Sequence, residues 1–475
     1  MNWETVIGLE VHAQLKTNSK LFSSSPTLFG ASPNSQTSFI DAGLPGVLPV
    51  LNQKAVQMAI QFGLSIEASI QDLSYFERKN YFYPDLPKGY QISQLQRPIV
   101  SNGHLDIELD DNRVKKIIIE RAHLEEDAGK SLHDAHPSYT GIDLNRAGMP
   151  LLEIVTTPCL SSAEEVLCYL KTLRQLLLFL GVCDGNMQEG SFRCDVNLSI
   201  RPQGQTTLGT RTELKNLNSF RFIEKAIEYE KNRHLDLIES GLPIIQETRL
   251  YNPDTNTTHA MRGKETENDY RYFPDPDLLP IKITSDDLAL IKASLPRSLT
   301  EIKHQLTHQD ELSKEDIDFL LSSPSVYNYY DVVKLKTHAP VKIIINWLKG
   351  TYQAALHEQG RDFNNPPVAT ETFANLLNRL ADRTITTIVA KQIFTKLMTG
   401  ATDLDAIIQA EGHEQVSMIQ LEDIIRTVIE NNPQQANDYR AGKEKLFSFF
   451  VGMIMKQTKG SADPADVNTL LRKYL

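Results

Sequence analysis

The chain has little cysteine, and nothing in its spacing pairs what there is. Its 475 residues carry four cysteines, Cys159, Cys168, Cys183 and Cys194, with no CxxC among them. That pattern excludes a zinc ribbon or a redox pair and fits free thiols in a reducing, cytoplasmic setting. No stretch of about 18 consecutive apolar residues occurs, so no membrane-spanning helix is expected. Met1–Leu9 has neither a basic head nor an apolar run, so no secretory leader is expected either. Glycine-rich phosphate loops are missing as well. There is no GxGxxG, and Ala128-Gly129-Lys130-Ser131 resembles only the end of a P-loop. The glycine required five residues before Gly129 is replaced by Leu124, which excludes the backbone cradle. Nor is there a GxSxG elbow or a cysteine in a glycine-flanked turn, so the chain shows no means of hydrolysing an amide.

What remains is an ordinary globular composition, 41% apolar and 23% charged. At this length about three domains are expected. The net charge of −11 argues against a protein coated in nucleic acid. The charge is unevenly spread, however. From Tyr439 to Leu475 seven basic residues face three acidic ones, so this tail is the place to expect a polyanion.

Four stretches place acids and histidines inside apolar runs: VIGLEVHAQL (Val6–Leu15), RAHLEEDAGK (Arg121–Lys130), DLNRAGMPLLEIVT (Asp143–Thr156) and QEGSFRCDVNLSIRP (Gln188–Pro202). An unpaired charge in such a run would cost several kcal/mol. Strand alternation puts Glu10 and His12 on one face, about 7 Å apart, with Ile7, Leu9, Val11 and Ala13 on the other. In the second stretch His123, Glu125 and Asp127 share a face, while Leu124 and Glu126 share the opposite one. Glu153 interrupts Leu151–Val155, and Asp195 and Asn197 alternate with Cys194, Val196 and Leu198. Carboxylates and imidazole converging from several strands suit a hard divalent cation.

Strands are expected at Val6–Leu15, Ile117–Leu124, Leu151–Thr156 and Arg193–Ile200. Ser161 and Glu164 form a capping box ahead of a helix Val166–Leu180, closed by Gly181. A second helix, Phe220–Glu239, is entered through Asn218 and Ser219 and stopped by Gly241. Two helices among many strands indicate an α+β fold. Beyond Leu295-Pro296 helical patterns take over, and Asp463-Pro464 caps a last amphipathic helix. The boundaries expected are a catalytic domain at 1–293, a helical domain at 294–407 and a tail at 408–475.

The loop FERKNYFYPDLPKGY (Phe76–Tyr90) mixes aromatics with Arg78, Lys79 and Lys88, and DYRYFPDPD (Asp269–Asp277) carries Arg271. Either is a packed aromatic hairpin or a polar wall beside the acids that binds phosphate or carries protons. Without a glycine nest, phosphates must be met by charged side chains, with Arg193, Lys215 and Arg271 the candidates. His304 and His308 read as a solvated helix face.

Taken together, VIGLEVHAQLKT, ERKNYFYPDLPKGYQIS, HLEEDAGKS, DLNRAGMPLLEIV, EGSFRCDVNLSIRP, ELKNLNSFRFIEKAIEYE, DYRYFPDPDL and the tail string GKEKLFSFFVGMIMKQTKGSADPADVNTLL resemble the GatB family, which serves the tRNA-dependent Asp/Glu amidotransferases. The resemblance implies a cradle domain of glutamine synthetase/guanido kinase-like topology, a helical domain and a small YqeY-like tail that binds tRNA. It implies ATP-dependent phosphorylation of the side-chain carboxylate of Glu-tRNA(Gln) or Asp-tRNA(Asn). Ammonia from a partner amidase (glutaminase) subunit then displaces the phosphate, and a small third subunit completes the heterotrimer. By similarity Mg²⁺ falls on Glu10, His12, Glu125 and Glu153, and a polar ammonia path on Lys79, Tyr81, Lys88 and Glu126.

The chain departs from the family at one place. Several members carry a cysteine zinc knuckle where this sequence has Ser23, Ser25, Ser38 and Asp41. Serine and aspartate alone make a poor zinc site, so no structural zinc is expected, with Phe22, Phe29 and Phe39 packing the loop instead.

Overall fold

The computed structural model describes residues 2–111, 113–133, 138–263, 267–411, 418–458 and 460–475. The chain forms two compact units, Met1–Glu301 and Ile302–Leu475. In the first, nine strands make one sheet: β1 (Trp3–Gln14), β2 (Ser69–Ile70), β3 (Val100–Glu108), β4 (Val114–Glu126), β5 (Pro150–Thr156), β6 (Phe192–Pro202), β7 (Thr212–Lys215), β8 (Glu247–Asn252) and β9 (Thr257–Gly263). Their spatial order is β9-β8-β7-β6-β1-β5-β4-β3-β2. All neighbours are antiparallel except β7 with β8.

The four strands expected from acid-bearing stretches thus lie side by side at the centre. One face of the sheet is apolar: Ile7, Leu9, Val11 and Ala13 of β1 join Leu124, Leu152, Ile154, Val196 and Leu198 in a single core. Each of the Val, Leu and Ile side chains contributes about 1.5–3 kcal/mol by leaving water. That face is covered by helices α1 (Gln53–Ser65), α2 (Ala163–Phe179) and α3 (Phe220–Glu239). The first of these has no counterpart among the helices expected from the sequence. The second starts one residue later than the box Ser161/Glu164 implies. Ser162 is the cap, its side chain accepting from Glu165 N, and the Glu165 carboxylate turns back to accept from Ser161 N at 2.7 Å. The third helix has the expected bounds, with Ser219 accepting from Phe222 N and Gly241 at φ +69° just beyond it.

The opposite face carries the polar residues. It is walled at one edge by a strand pair, Glu77–Asn80 with Tyr90–Ser93, extended by Phe273–Pro274. Gly129 of the GKS string lies where a Cβ would come within 2.9 Å of the Asp143 and Asp85 carbonyls. Glycine is needed there for close packing.

The loop after β1 is held differently from the expectation. Phe22 is buried against Phe76, with ring centroids 5.1 Å apart, but Phe29 and Phe39 are more than 70% exposed and do not pack the loop. Polar contacts hold the segment instead. The fully buried Lys20 reaches Asp41 Oδ2 at 3.1 Å, and Asp41 also accepts from Ser23 Oγ at 2.9 Å and Ser38 N at 2.8 Å.

The second unit is helical. Leu299–His308, Lys314–Leu320, Pro324–Lys336, Thr370–Ala381 and Thr387–Met398 are helices, in keeping with the helical patterning beyond Leu295-Pro296, and Val341–Glu358 is interrupted by a wide turn over Trp347–Tyr352. The last helices share a core of Leu421, Ile425, Phe450, Ile454, Val467 and Leu471. Asp463 caps the final helix, Pro464–Tyr474. Among the tail lysines, Lys443, Lys445 and Lys456 are exposed, and Lys459 lies outside the described residues. Phe449 and Met453 on the same segment are more than a third exposed. No helix among the described residues is long and apolar enough to cross a membrane.

Candidate active site

The polar face of the sheet floors a cavity of about 1050 Å³. Register decides which acids meet there. In antiparallel sheets directly paired residues share a face, and the pairs His123↔Glu153, Glu153↔His12 and His12↔Arg193 set four polar side chains in one transverse row. Glu125 joins them from β4. His12 Nε2 lies 3.4 Å from Glu125 Oε1 and 3.3 Å from Glu153 Oε2. His123 Nε2 lies 3.4 Å from Glu153 Oε2 and 3.8 Å from Glu125 Oε2. Burial works against an imidazolium here, but Glu125 and Glu153 outweigh it and lift His12 to about 10 and His123 to about 9. Burial and Glu153 both push Glu125 up, yet its hydrogen bonds to the two histidines bring it down to about 2.

One carboxylate oxygen each from Glu125 and Glu153 and one His12 nitrogen lie within 4.8 Å of one another. Two carboxylates with one imidazole, on a floor where no lysine or arginine among the described residues pairs with them, fit a hard divalent cation such as Mg²⁺ or Mn²⁺.

Glu10 does not complete this trio. It groups with Asp195 and Glu213, whose ligand atoms form a second set within 4.8 Å. The cause is register: Glu10 pairs with Asp195, and Asn197 with Glu213, on the other side of β1. Burial, with Glu153, Glu213 and Asp195 nearby, raises the Glu10 pKa. Asn197 Nδ2 donates to Glu10 Oε1 at 2.8 Å, while its Oδ1 is shielded and unpartnered among the described residues. Glu213 is not among the residues expected from the sequence, because its strand is only four residues long.

Two of the three candidate phosphate ligands reach the cavity, but each is already engaged. Arg193 donates to Asp127 Oδ2 at 2.7 Å. Lys215 pairs with Asp195 and lies 3.3 Å from Glu213 Oε1. Arg271, at φ +46°, is absent from the wall that its neighbours Tyr270 and Tyr272 help to form.

The opposite wall holds Lys79 and Tyr81. Burial disfavours the Lys79 charge, but Tyr272, Glu125 and Glu153 more than offset it and raise its pKa. Its ammonium sits 5.0 Å from the Tyr270 ring centroid. Tyr81 OH donates to Gln91 Oε1 at 3.1 Å, and Gln91 Nε2 donates to the Glu126 carbonyl at 2.7 Å. The Glu126 carboxylate pairs with Lys88 and accepts from Ile92 N at 2.9 Å. Alternation therefore separates the two neighbouring acids: Glu125 faces the histidines, Glu126 the strand pair behind the wall.

This geometry agrees with what the chain resembles over its length. Residues 5–289 match the GatB/GatE catalytic domain and residues 329–475 the GatB domain. The aspartyl/glutamyl-tRNA(Asn/Gln) amidotransferase B subunit of Legionella pneumophila strain Philadelphia 1 is 64% identical over the whole of both chains. The protein of the same name from Coxiella burnetii strain CbuG_Q212 is 52% identical, again over the whole of both. The chain belongs to the GatB family. The family is one of glutamine-hydrolysing, tRNA-dependent amidotransferases of the ligase class. The catalytic-domain match contains every residue of both acid clusters.

Proposed function

We propose that this chain is the phosphorylating and amidating subunit of a cytoplasmic tRNA-dependent amidotransferase. Its substrates are ATP and Glu-tRNA(Gln) or Asp-tRNA(Asn). A side-chain carboxylate oxygen attacks the γ-phosphorus of ATP and ADP departs. Ammonia then attacks the acyl carbon, the C–O bond breaks and inorganic phosphate leaves, giving Gln-tRNA(Gln) or Asn-tRNA(Asn). The observation that carries this reading is the His12, Glu125 and Glu153 cluster on the floor of a cavity large enough for a nucleotide and an aminoacyl end.

His12, Glu125 and Glu153 would hold a Mg²⁺ ion, with Glu10, Asp195 and Glu213 beside them. A divalent cation there supplies neutralisation of phosphate charge. Lys79, held protonated on the wall, orients the anionic acyl group. Because the chain shows no nucleophile for glutamine, ammonia comes from an amidase (glutaminase) partner, assembled with a small third subunit. Ammonia attacks only while unprotonated, so a shielded route along Lys88, Glu126, Tyr81 and Lys79 suits its delivery. In this reading the catalytic domain, ending near residue 293, is a cradle of glutamine synthetase/guanido kinase-like topology. The helical part divides near residue 407, and the YqeY-like tail meets tRNA phosphates through Lys443, Lys445 and Lys456.

Glu125→Gln tests the catalytic assignment. Mg²⁺-dependent phosphorylation of Glu-tRNA is expected to fall at least about 10³-fold, and unchanged turnover would reduce the chain to a tRNA-binding scaffold. Deleting residues 408–475 tests the tail. The salt-dependent part of tRNA affinity should be lost, and a truncated protein that binds as tightly across a salt series refutes the role.

A further inference from the structure

With Arg193 and Lys215 tied to acids and Arg271 off the wall, the cavity still contains an arginine whose partner is expendable. Arg121 of β4 lines it, and its position follows from a break in strand pairing. Val155 opposes Arg121 but Thr156 opposes Ile119, so Glu120 is an extra residue in β4. Such a bulge re-aims the side chains around it. Strict alternation would send Glu120 and Arg121 to opposite faces, yet both line the cavity. The pairing of Arg121 with Val155, Val155 with Glu10, and Glu10 with Asp195 puts Arg121 in the transverse row next to that of His123, Glu153 and His12.

Its guanidinium is underused. The hydrogen bond it makes among the described residues is from Nη1 to Glu120 Oε1, at 3.1 Å. The Glu120 side chain is 53% exposed, and an ion pair to so exposed an acid is worth little. Arg121 Nε, by contrast, is shielded from water and donates to nothing among the described residues. A buried N–H without an acceptor carries a desolvation cost that an incoming anion removes. The floor beside it is crowded with carboxylates, so a polyphosphate needs positive charge from the protein at this edge. A guanidinium meets two phosphoryl oxygens at once.

We propose that Arg121 is the phosphate-binding arginine of the site, exchanging Glu120 for phosphoryl oxygens of ATP when the nucleotide enters. The assignment rests on the phosphoryl-transfer reading above. In the assembled complex, Arg121→Ala should lower kcat/KM for ATP in Glu-tRNA-dependent phosphate release by about 10²-fold. Arg121→Lys should recover part of the loss, and glutamine hydrolysis should be unchanged. Glu120→Gln removes only the resting partner and should leave kcat/KM for ATP within about twofold. An Arg121→Ala enzyme within about threefold of the parent overturns the proposal, and so does an equal loss in Glu120→Gln, which would make the pair structural. Binding of inorganic tripolyphosphate, measured on the full chain, separates this from failure of the functional reading. Affinity at least about tenfold weaker in Arg121→Ala is expected even if the parent releases no phosphate, whereas equal affinity sinks the arginine's role.

Discussion

Among its described residues the first unit contains two buried glutamate–histidine clusters on opposite faces of one sheet, and of these two only one has the form of an active site. On the cavity side, Glu125 and Glu153 face His12 and His123. On the helix side, between α3 and strands β7–β9, fully buried Glu230 lies 3.3 Å from fully buried His234. Both Glu125 and Glu230 are depressed to about 2. Burial raises each, and in both cases hydrogen bonds to histidine are among what brings it down.

The difference is in what completes the shell. Glu230 accepts from Thr212 Oγ1 at 3.0 Å, Thr258 Oγ1 at 2.8 Å and Arg233 Nε at 3.0 Å, with Arg249 Nε 3.5 Å away. Permanent cations and hydroxyls saturate it, and its side chain is sealed from solvent. Glu125 and Glu153 pair with no permanent cation among the described residues, and they face space. A strongly shifted carboxylate is thus compatible with either role, and functional sites are marked by unfilled coordination next to a cavity.

The comparison can be broken by substituting each cluster. The largest effect expected is on activity: Glu125→Gln should cut phosphorylation at least about 10³-fold, while the unfolding midpoint moves less than in Glu230→Gln, because Glu153 still pairs with His12 and His123. Glu230→Gln should do the reverse. Breaking a buried pair and leaving Arg233 and Arg249 uncompensated costs about 3 kcal/mol of stability, with kcat per folded molecule unchanged. The pH dependence has a definite sign. Because Glu230 titrates lower in the folded chain than its usual 4.5, its contribution is full above that value and is lost as pH falls toward 2. The stability gap between parent and Glu230→Gln should therefore close over that window, and a gap that persists at pH 2 would contradict the assignment. The smallest effect sharpens the contrast. Thr258→Val removes one hydroxyl from the Glu230 shell and should cost about 1 kcal/mol, with no change in ATP kinetics.

Much of the active face is legible in the sequence because strand alternation has a strict period of two. It separates Glu10 and His12 from the core side of β1, and Glu125 from Glu126. What alternation cannot show is register. Resemblance groups Glu10 with His12, Glu125 and Glu153, whereas pairing with β6 draws it to Asp195 and Glu213. Glu213 itself sits in a four-residue strand among polar loops, too short for a period to stand out. Arg121 is hidden because a bulge violates the alternation that such reasoning relies on. Arg193 and Lys215 stand out by charge, but the acids that already neutralise them, Asp127 just beyond β4 and Asp195 of β6, are distant in sequence. The exposed Phe29 and Phe39 mislead for a related reason, since aromatic content does not reveal that Lys20, Asp41 and Ser23 already hold the loop.

The central claim is that the substrate carboxylate is activated by phosphate in this cavity. Glu-tRNA labelled with ¹⁸O in its side-chain carboxylate tests it most directly. If the carboxylate is phosphorylated and ammonia then breaks the acyl C–O bond, each turnover leaves one ¹⁸O in inorganic phosphate, and the Glu125→Gln complex yields none. Phosphate free of the label in the parent complex, with amide still formed, would contradict the account.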